Sequence, residues 1–197
     1  AGAASLTILH NNDGESALLP FDDPADHGGI ARAVTAVDQL RSLALDDGRD
    51  VLVLSSGDNF LAGLAREAGA RDGVDYDARA LDLIGYDAIA LGNHDFDFGP
   101  AALAEFIGYA EAGRALFADT PFLAANLDLA GEPALAALAE AGRIVASTVV
   151  TRGDEAYGVI GGITERLPQI SSPGAVTVTD FATAVRAEVD RLAAAGV

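Results

Sequence analysis

The chain has 197 residues, half of them hydrophobic, and a formal net charge of −18, with arginine as its only basic residue besides histidine. This length can bury one sizeable core, whereas the negative charge argues against nucleic-acid polymers and anionic membranes as partners. Cysteine is absent, which excludes disulfides, thiolate catalysis and cysteine-ligated metals, and no uninterrupted apolar stretch approaches the roughly 18 residues of a membrane span.

The chain opens with a predicted strand and helix. Residues 5–12 are rich in β-forming side chains and end in Asp13-Gly14. Residues 18–26 form a predicted loop whose acidic residues lack the spacing of a calcium-binding loop; they are Asp22, Asp23 and Asp26. After Gly28-Gly29, apolar residues recur at helical spacing over 30–45, which predicts an amphipathic helix.

A second strand and two helical segments follow. Residues 50–54 form a continuous apolar run typical of a buried parallel strand, and polar residues follow it at Ser55-Ser56-Gly57-Asp58. A short helix and loop are expected over 59–73, with Asn59 as a candidate helix cap. Residues 76–85 predict a helix that Gly85 terminates.

The third and fourth strands are predicted at 87–91 and 121–127. Between them, residues 100–112 predict a helix with Pro100 in its first turn. The alanine-rich stretch 134–141 is a good helix former.

The last part of the chain predicts a hairpin and a helix. Residues 143–151 and 156–163 flank Gly153-Asp154, which indicates a β-hairpin, and residues 180–195 form an amphipathic helix with Asp180 as its N-cap. Strands that alternate with helices in this way predict an α/β fold with a largely parallel central sheet.

Polar residues follow three of the predicted strands directly. In parallel sheets, ligands bind beyond the carboxyl ends of the strands, so these residues are expected to meet at one edge. An Asp after a strand is usually a turn residue, but three such ends together are harder to explain as turns. The groups are Asp13-Gly14-Glu15, Gly57-Asp58-Asn59 and Gly92-Asn93-His94-Asp95.

Carboxylate, amide oxygen and imidazole suit divalent ions such as Mn²⁺, Zn²⁺, Fe²⁺ or Co²⁺, with Mg²⁺ or Ca²⁺ as further candidates. A carboxylate that bridges two ions about 3.5–4 Å apart would suit displacement at phosphorus. Two divalent metal ions are therefore expected in the complete site.

Three of these segments resemble the motifs of the calcineurin-like metallophosphoesterases, specifically their 5′-nucleotidase branch. They read LTILHNNDGES, VLVLSSGDNF and LGNHDFDFG, and weaker matches are GGIARAVTAVDQLR, FLAANL and GVIGGITE. The resemblance covers almost the whole chain and implies the N-terminal portion of an α/β/β/α sandwich. It also implies hydrolysis of nucleotide or related phosphate monoesters by metal-activated water, and an extracellular or periplasmic location.

The resemblance also implies residue roles. Asp13 would bind the first metal, and Asp58 would bridge both. Asn93 would bind the second metal and contact a phosphate oxygen. His94 would stabilise the transition state or act as general acid, with Asp97 orienting its imidazole.

The chain departs from the family pattern in two ways. Glu15 stands where the family usually has histidine, so it is expected to ligate as a harder donor. The family's remaining ligands are histidines in later motifs, and no histidine follows His94. We therefore expect residues 1–197 to be one domain, the N-terminal part of a catalytic domain whose later metal motifs and substrate-binding domain lie outside this chain.

Alternatives remain open at this stage. The chain could be a catalytically silent fragment or metal-binding module. It could also be part of a related enzyme, such as a cyclic-nucleotide phosphodiesterase or a sulfur-oxidation enzyme. Self-association through exposed sheet is also expected. For Asn126, substrate binding and closure of a turn are equally favoured. His10 is favoured as a structural residue and His27 as a loop residue. Three aromatic residues are favoured as packing residues: Phe60, Phe96 and Phe98.

Overall fold

The computed structural model describes residues 5–20 and 27–197. The acidic residues predicted in the first loop, Asp22, Asp23 and Asp26, lie outside the described residues. The elements in chain order are β1 (Leu6–Asn11), α1 (Ile30–Asp46), β2 (Asp50–Ser55), α2 (Leu64–Asp72), α3 (Tyr76–Ile84), β3 (Ala88–Ala90), a 3₁₀ turn (His94–Phe96), α4 (Gly99–Ile107), β4 (Ala110–Glu111), β5 (Arg114–Ala115), β6 (Phe122–Leu123), β7 (Leu127–Asp128), α5 (Pro133–Glu140), β8 (Ile144–Val145), β9 (Ser147–Arg152), β10 (Glu155–Ile160), α6 (Leu167–Ile170), β11 (Thr177–Val178) and α7 (Phe181–Ala194).

A five-stranded sheet with the order β1-β2-β3-β6-β8 forms the centre of the fold. Every neighbouring pair in it is parallel. Each of the four connections between these strands contains a helix, as parallel pairing requires a crossover. The predicted α/β class with a largely parallel sheet is confirmed.

The two faces of the sheet have different partners. Val53, Ile89 and Phe122 belong to the main core, which they share with residues of α1, α3, α4 and α5. Strand residues alternate between faces, so Leu52 and Leu123 lie on the other face. Both are almost fully buried, and the backbone at Gly161 packs against Leu123.

The helix predicted over 100–112 is shorter than expected. The observed α4 ends at Ile107, and β4 and β5 then form a small antiparallel hairpin. The two residues between these strands, Ala112 and Gly113, have φ of 50° and 81°. Positive φ at both central positions is the geometry of a tight hairpin turn, which a helix cannot contain.

The strand predicted over 121–127 is also divided. Only Phe122–Leu123 joins the central sheet as β6, while Leu127–Asp128 pairs with β11. The predicted first strand of the late hairpin is divided similarly, because β8 joins the central sheet before β9 begins. The hairpin itself is confirmed: β9 pairs with β10 around Gly153-Asp154.

The helix termini bear out two sequence predictions and correct one. Gly85 ends α3 in the left-handed conformation, and the Asp180 side chain accepts a hydrogen bond of 2.7 Å from Thr183 N. Asn59 does not cap α2, because that helix begins at Leu64 after Gly63. Within residues 5–20 and 27–197, every helix is too short or too polar to cross a bilayer.

Candidate active site

The segments that follow β1, β2 and β3 meet at one edge of the sheet. Asp13 N donates to Gly57 O at 3.2 Å, and Glu15 N donates to Asp58 O at 2.9 Å. His94 N donates to Asp58 Oδ1 at 2.6 Å. The structure therefore brings together the three strand ends singled out in the sequence, and Asp58 lies between the other two.

Two glycines allow this close approach. A Cβ on Gly57 would lie 2.3 Å from Gly92 N, and a Cβ on Gly92 would lie 2.2 Å from Asp58 Oδ1. Both distances are far below van der Waals contact, so a side chain at either position would separate the loops after β2 and β3.

Several non-glycine residues here have left-handed backbone conformations. The φ angles are 53° at Asp13, 46° at Glu15 and 54° at Asp58. Such conformations are disfavoured for residues with a Cβ and persist where surrounding contacts hold them. Here the hydrogen bonds between the three segments supply those contacts.

The buried side chain of Asp95 connects the loops that follow β2 and β3. It is 3% exposed and accepts hydrogen bonds from Gly92 N (2.8 Å), Asp58 N (3.3 Å) and Asn59 N (3.3 Å). Burial raises the pKa of its carboxyl to about 7, and the charge of Asp58 adds to this rise. Asp95 had no predicted role, although its place directly after His94 in the motif was visible in the sequence.

The charges of the predicted site residues act on the carboxyl of Asp58. Burial raises the pKa of Asp58, the hydrogen bond from His94 N opposes this, and the charges of Asp13 and Asp97 raise it further. Asn12 donates a hydrogen bond to the Asp13 carboxylate. A cation would relieve the repulsion between these carboxylates, so the local charge favours one.

His94 is held by Asp97. Its Nδ1 lies 2.7 Å from Asp97 Oδ2, and both side chains are partly exposed. This hydrogen bond raises the pKa of His94, with the charges of Asp97, Asp58 and Glu15 adding to the effect and burial opposing it. Because Nδ1 is engaged, any contact between the imidazole and a substrate would have to use Nε2.

A further residue at this pair was not anticipated from the sequence. Ser171 Oγ donates to Asp97 Oδ1 at 2.7 Å, from a position 74 residues along the chain. No local motif around Ser171 indicates this contact.

The predicted substrate residues lie in different surroundings. Asn93 is partly exposed and directly precedes His94. Asn126 is fully buried, and its amide bonds the main chain at Ile163 N (2.8 Å), Ile163 O (2.9 Å) and Thr179 O (3.3 Å). These contacts join segments that are distant in the sequence and do not close a local turn, and a role of Asn126 in substrate binding stays a prediction.

Most of the residues predicted to be structural are buried or hydrogen-bonded. His10 Nε2 lies 3.1 Å from Ser56 Oγ, and Asn59 is buried with its amide bonded to Ser55 Oγ. Phe60 and Phe96 are fully buried. Phe98 is 40% exposed, and the Arg66 guanidinium lies 4.2 Å from its ring centroid.

The donor set at this edge fits divalent cations in part. Carboxylates and an amide oxygen are present at Asp13, Glu15, Asp58 and Asn93, and the charge on the first three favours a cation. Among the described residues, however, no group of three or more His, Asp or Glu side chains is arranged to hold an ion. The described chain therefore supplies less than the ligand set expected for two metals.

Comparisons with known proteins agree with this architecture. The chain is 33% identical over 201 residues to a human 5′-nucleotidase, covering 98% of this chain and 32% of that protein. A 5′-nucleotidase precursor from Thermus thermophilus superposes with a TM-score of 0.77 and 31% identity, covering 98% of this chain and 35% of that one. A calcineurin-like phosphoesterase from Bacillus subtilis shares the fold, with a TM-score of 0.68 and 19% identity, covering 96% of this chain and 58% of that one. No family model matches the chain.

The fold is therefore the one seen in a calcineurin-like phosphoesterase. In sequence, its homologues are 5′-nucleotidases over nearly the whole of this chain, which confirms the resemblance that its motifs predict. The chain spans about a third of the length of the curated relatives it matches.

Proposed function

We propose that this chain is the N-terminal part of a catalytic domain that hydrolyses phosphate monoesters, with nucleotides as the substrate class. The observation that carries the proposal is the convergence of Asp13, Asp58 and the His94–Asp97 pair at one sheet edge. The names of the relatives support nucleotides as substrates. Because those relatives are about three times as long, the complete activity is assigned to the full-length gene product.

In this proposal the chain contributes part of a two-metal site. Asp13 and Glu15 would hold one divalent ion, Asn93 would hold a second, and Asp58 would serve both. Ions bound at such a site supply an activated water and neutralise phosphate charge. The donors are oxygens, which favours Mn²⁺ or a similarly hard ion over softer ones.

His94 acts on the reacting phosphate in this proposal. The hydrogen bond to Asp97 keeps the Nδ1 proton directed at the carboxylate, so Nε2 is the nitrogen that would contact a phosphate oxygen. The raised pKa of His94 increases the fraction of imidazolium near neutral pH. That form can stabilise developing negative charge or donate a proton to the leaving group.

A direct test is hydrolysis of AMP and p-nitrophenyl phosphate by the full-length gene product with Mn²⁺. We expect His94→Ala to lower kcat by about 100-fold or more, the usual size of a general acid–base contribution. His10→Ala is the matched control, because His10 is an exposed histidine bonded to Ser56. Equal loss in both variants, or none in His94→Ala, would contradict the role of His94. Preference for cyclic AMP over AMP would favour a phosphodiesterase instead.

An extracellular or periplasmic location also remains a proposal from the family resemblance. Measuring the enzyme in culture medium, periplasmic extract and cytoplasmic extract of the source organism would test it. A protein found only in the cytoplasmic fraction would contradict it.

A further inference from the structure

The Asp97 carboxylate has a protein partner on each oxygen. Oδ2 lies 2.7 Å from His94 Nδ1, and Oδ1 accepts a hydrogen bond of 2.7 Å from Ser171 Oγ. The carboxylate therefore connects two side chains that are distant in sequence. Both distances lie within the usual range for hydrogen bonds to a carboxylate oxygen.

The position of Ser171 is fixed by its own surroundings. It directly follows α6 and donates its backbone N–H to Leu167 O at 3.1 Å. Leu167 is fully buried and belongs to the main core, so α6 is held against the body of the fold. The Ser171 hydroxyl therefore approaches Asp97 from a well-packed element.

We propose that Ser171 is a positioning residue that orients Asp97 and, through it, the imidazole of His94. A carboxylate with one partner can rotate about its Cβ–Cγ bond, whereas a second hydrogen bond on Oδ1 fixes its plane. The fixed plane directs Oδ2 at Nδ1 and holds neutral His94 as the tautomer with its proton on Nδ1. The catalytic consequence of this role rests on the proposed function, but the tautomer itself does not.

The first test is nuclear magnetic resonance of the ¹⁵N-histidine-labelled chain at about pH 9, where an ordinary imidazole is neutral. Long-range ¹H–¹⁵N correlation distinguishes the two tautomers, and His94→Asn assigns the signals. We expect the Nδ1–H form to dominate in the unsubstituted chain and in Ser171→Thr, which keeps the hydroxyl. In Ser171→Ala we expect a measurable shift toward the Nε2–H form.

Two further variants keep this test decisive. Ser172→Ala removes the neighbouring exposed hydroxyl and is expected to leave the tautomer unchanged. Ser171→Val matches Thr in shape and lacks the hydroxyl, so the Val–Thr comparison applies if Ser171→Ala does not fold. An unchanged His94 tautomer in folded Ser171→Ala or Ser171→Val would overturn the proposal.

The second test is kinetic and uses the full-length gene product. We expect Ser171→Ala to lower kcat for AMP about tenfold with KM nearly unchanged, and Ser171→Thr to restore it, as for other outer hydrogen-bond partners of a site. A gene product that hydrolyses no phosphate ester would contradict the proposed function while leaving the tautomer result intact. An altered tautomer with unchanged kcat would overturn the catalytic part of the Ser171 proposal alone.

Discussion

Gly92 and Asp58 are packed so closely that a Cβ on Gly92 would lie 2.2 Å from Asp58 Oδ1 and 2.7 Å from Asp58 N. Gly92 is not among the residues with positive φ, so the requirement for glycine here is steric. The same carboxylate accepts the bond from His94 N. The absence of a side chain at Gly92, like that at Gly57, thus permits the contact between the loops after β2 and β3.

Gly92→Ala should consequently disturb the site and the fold together. We expect a loss of about 1–3 kcal/mol in the free energy of unfolding, because backbone and carboxylate must move apart. Urea denaturation measures this loss. Gly63→Ala is the matched control, since the nearest atom to a Cβ there is 4.0 Å away and its backbone is extended. Equal stability of the two variants would contradict the steric argument.

Metal binding by the 197-residue chain should be incomplete. We expect calorimetric titration with Mn²⁺ to give at most one site, because the described donors fall short of a two-metal set. Asp58→Asn should weaken this binding by more than about tenfold, since even outer-shell substitutions can cost that much. Glu67→Gln, at an exposed carboxylate in the first turn of α2, should leave it unchanged. Two tight sites would contradict this prediction.

Asp77 should make the stability of the protein depend on pH. It is 3% exposed, Ser16 Oγ donates to its Oδ2 at 3.1 Å, and its Oδ1 has no hydrogen-bond partner within the described residues. Burial raises the pKa of Asp77 from 3.8 to about 6. Between these values the folded state binds more protons than the unfolded state, so this contribution to stability is present below about pH 4 and is lost as pH rises through about 6.

Asp77→Asn removes that titration. We expect the difference in unfolding free energy between Asp77→Asn and the unsubstituted chain to shift in favour of the variant as pH rises from about 4 to 7, by up to about 3 kcal/mol. Urea denaturation at several pH values measures it. Asp190→Asn removes an exposed carboxylate on α7 and is the matched control, whose difference should change less with pH than that of Asp77→Asn. If the difference in unfolding free energy between Asp77→Asn and the unsubstituted chain does not change with pH, the charged carboxylate is not destabilised by burial.

Self-association through the outer strand remains a prediction that light scattering can test. In the described part of the chain, β1 pairs only with β2, and Ile8 on it is 55% exposed. An unpaired strand edge beside an apolar residue favours pairing with a second copy. We expect size-exclusion chromatography with light scattering to show a dimer at high concentration, and Ile8→Lys to reduce it. Val189→Lys, at an exposed valine on α7, should not. A monomer at every concentration would contradict the prediction.

The sequence alone determined the class of the fold and the sheet edge at which the polar strand ends meet. Apolar strands such as residues 51–54 are recognisable because a strand buried on both faces is continuously apolar and does not alternate between apolar and polar residues. Parallel strands bring their carboxyl ends to the same edge, so polar residues after β1, β2 and β3 could be expected to meet there without knowledge of the loops. The His94–Asp97 contact was expected from the family resemblance.

The tertiary structure decided what depends on contacts between distant segments. Ser171 is 74 residues from Asp97, and Ser16 is 61 residues from Asp77, so no local pattern could pair them. The predicted helix could not extend to residue 112, because Ala112 and Gly113 adopt the left-handed conformations of the turn between β4 and β5 despite the helix propensity of the preceding alanines. Local sequence sets periodicity and turn chemistry, whereas the packing of separate elements sets which polar groups finally meet.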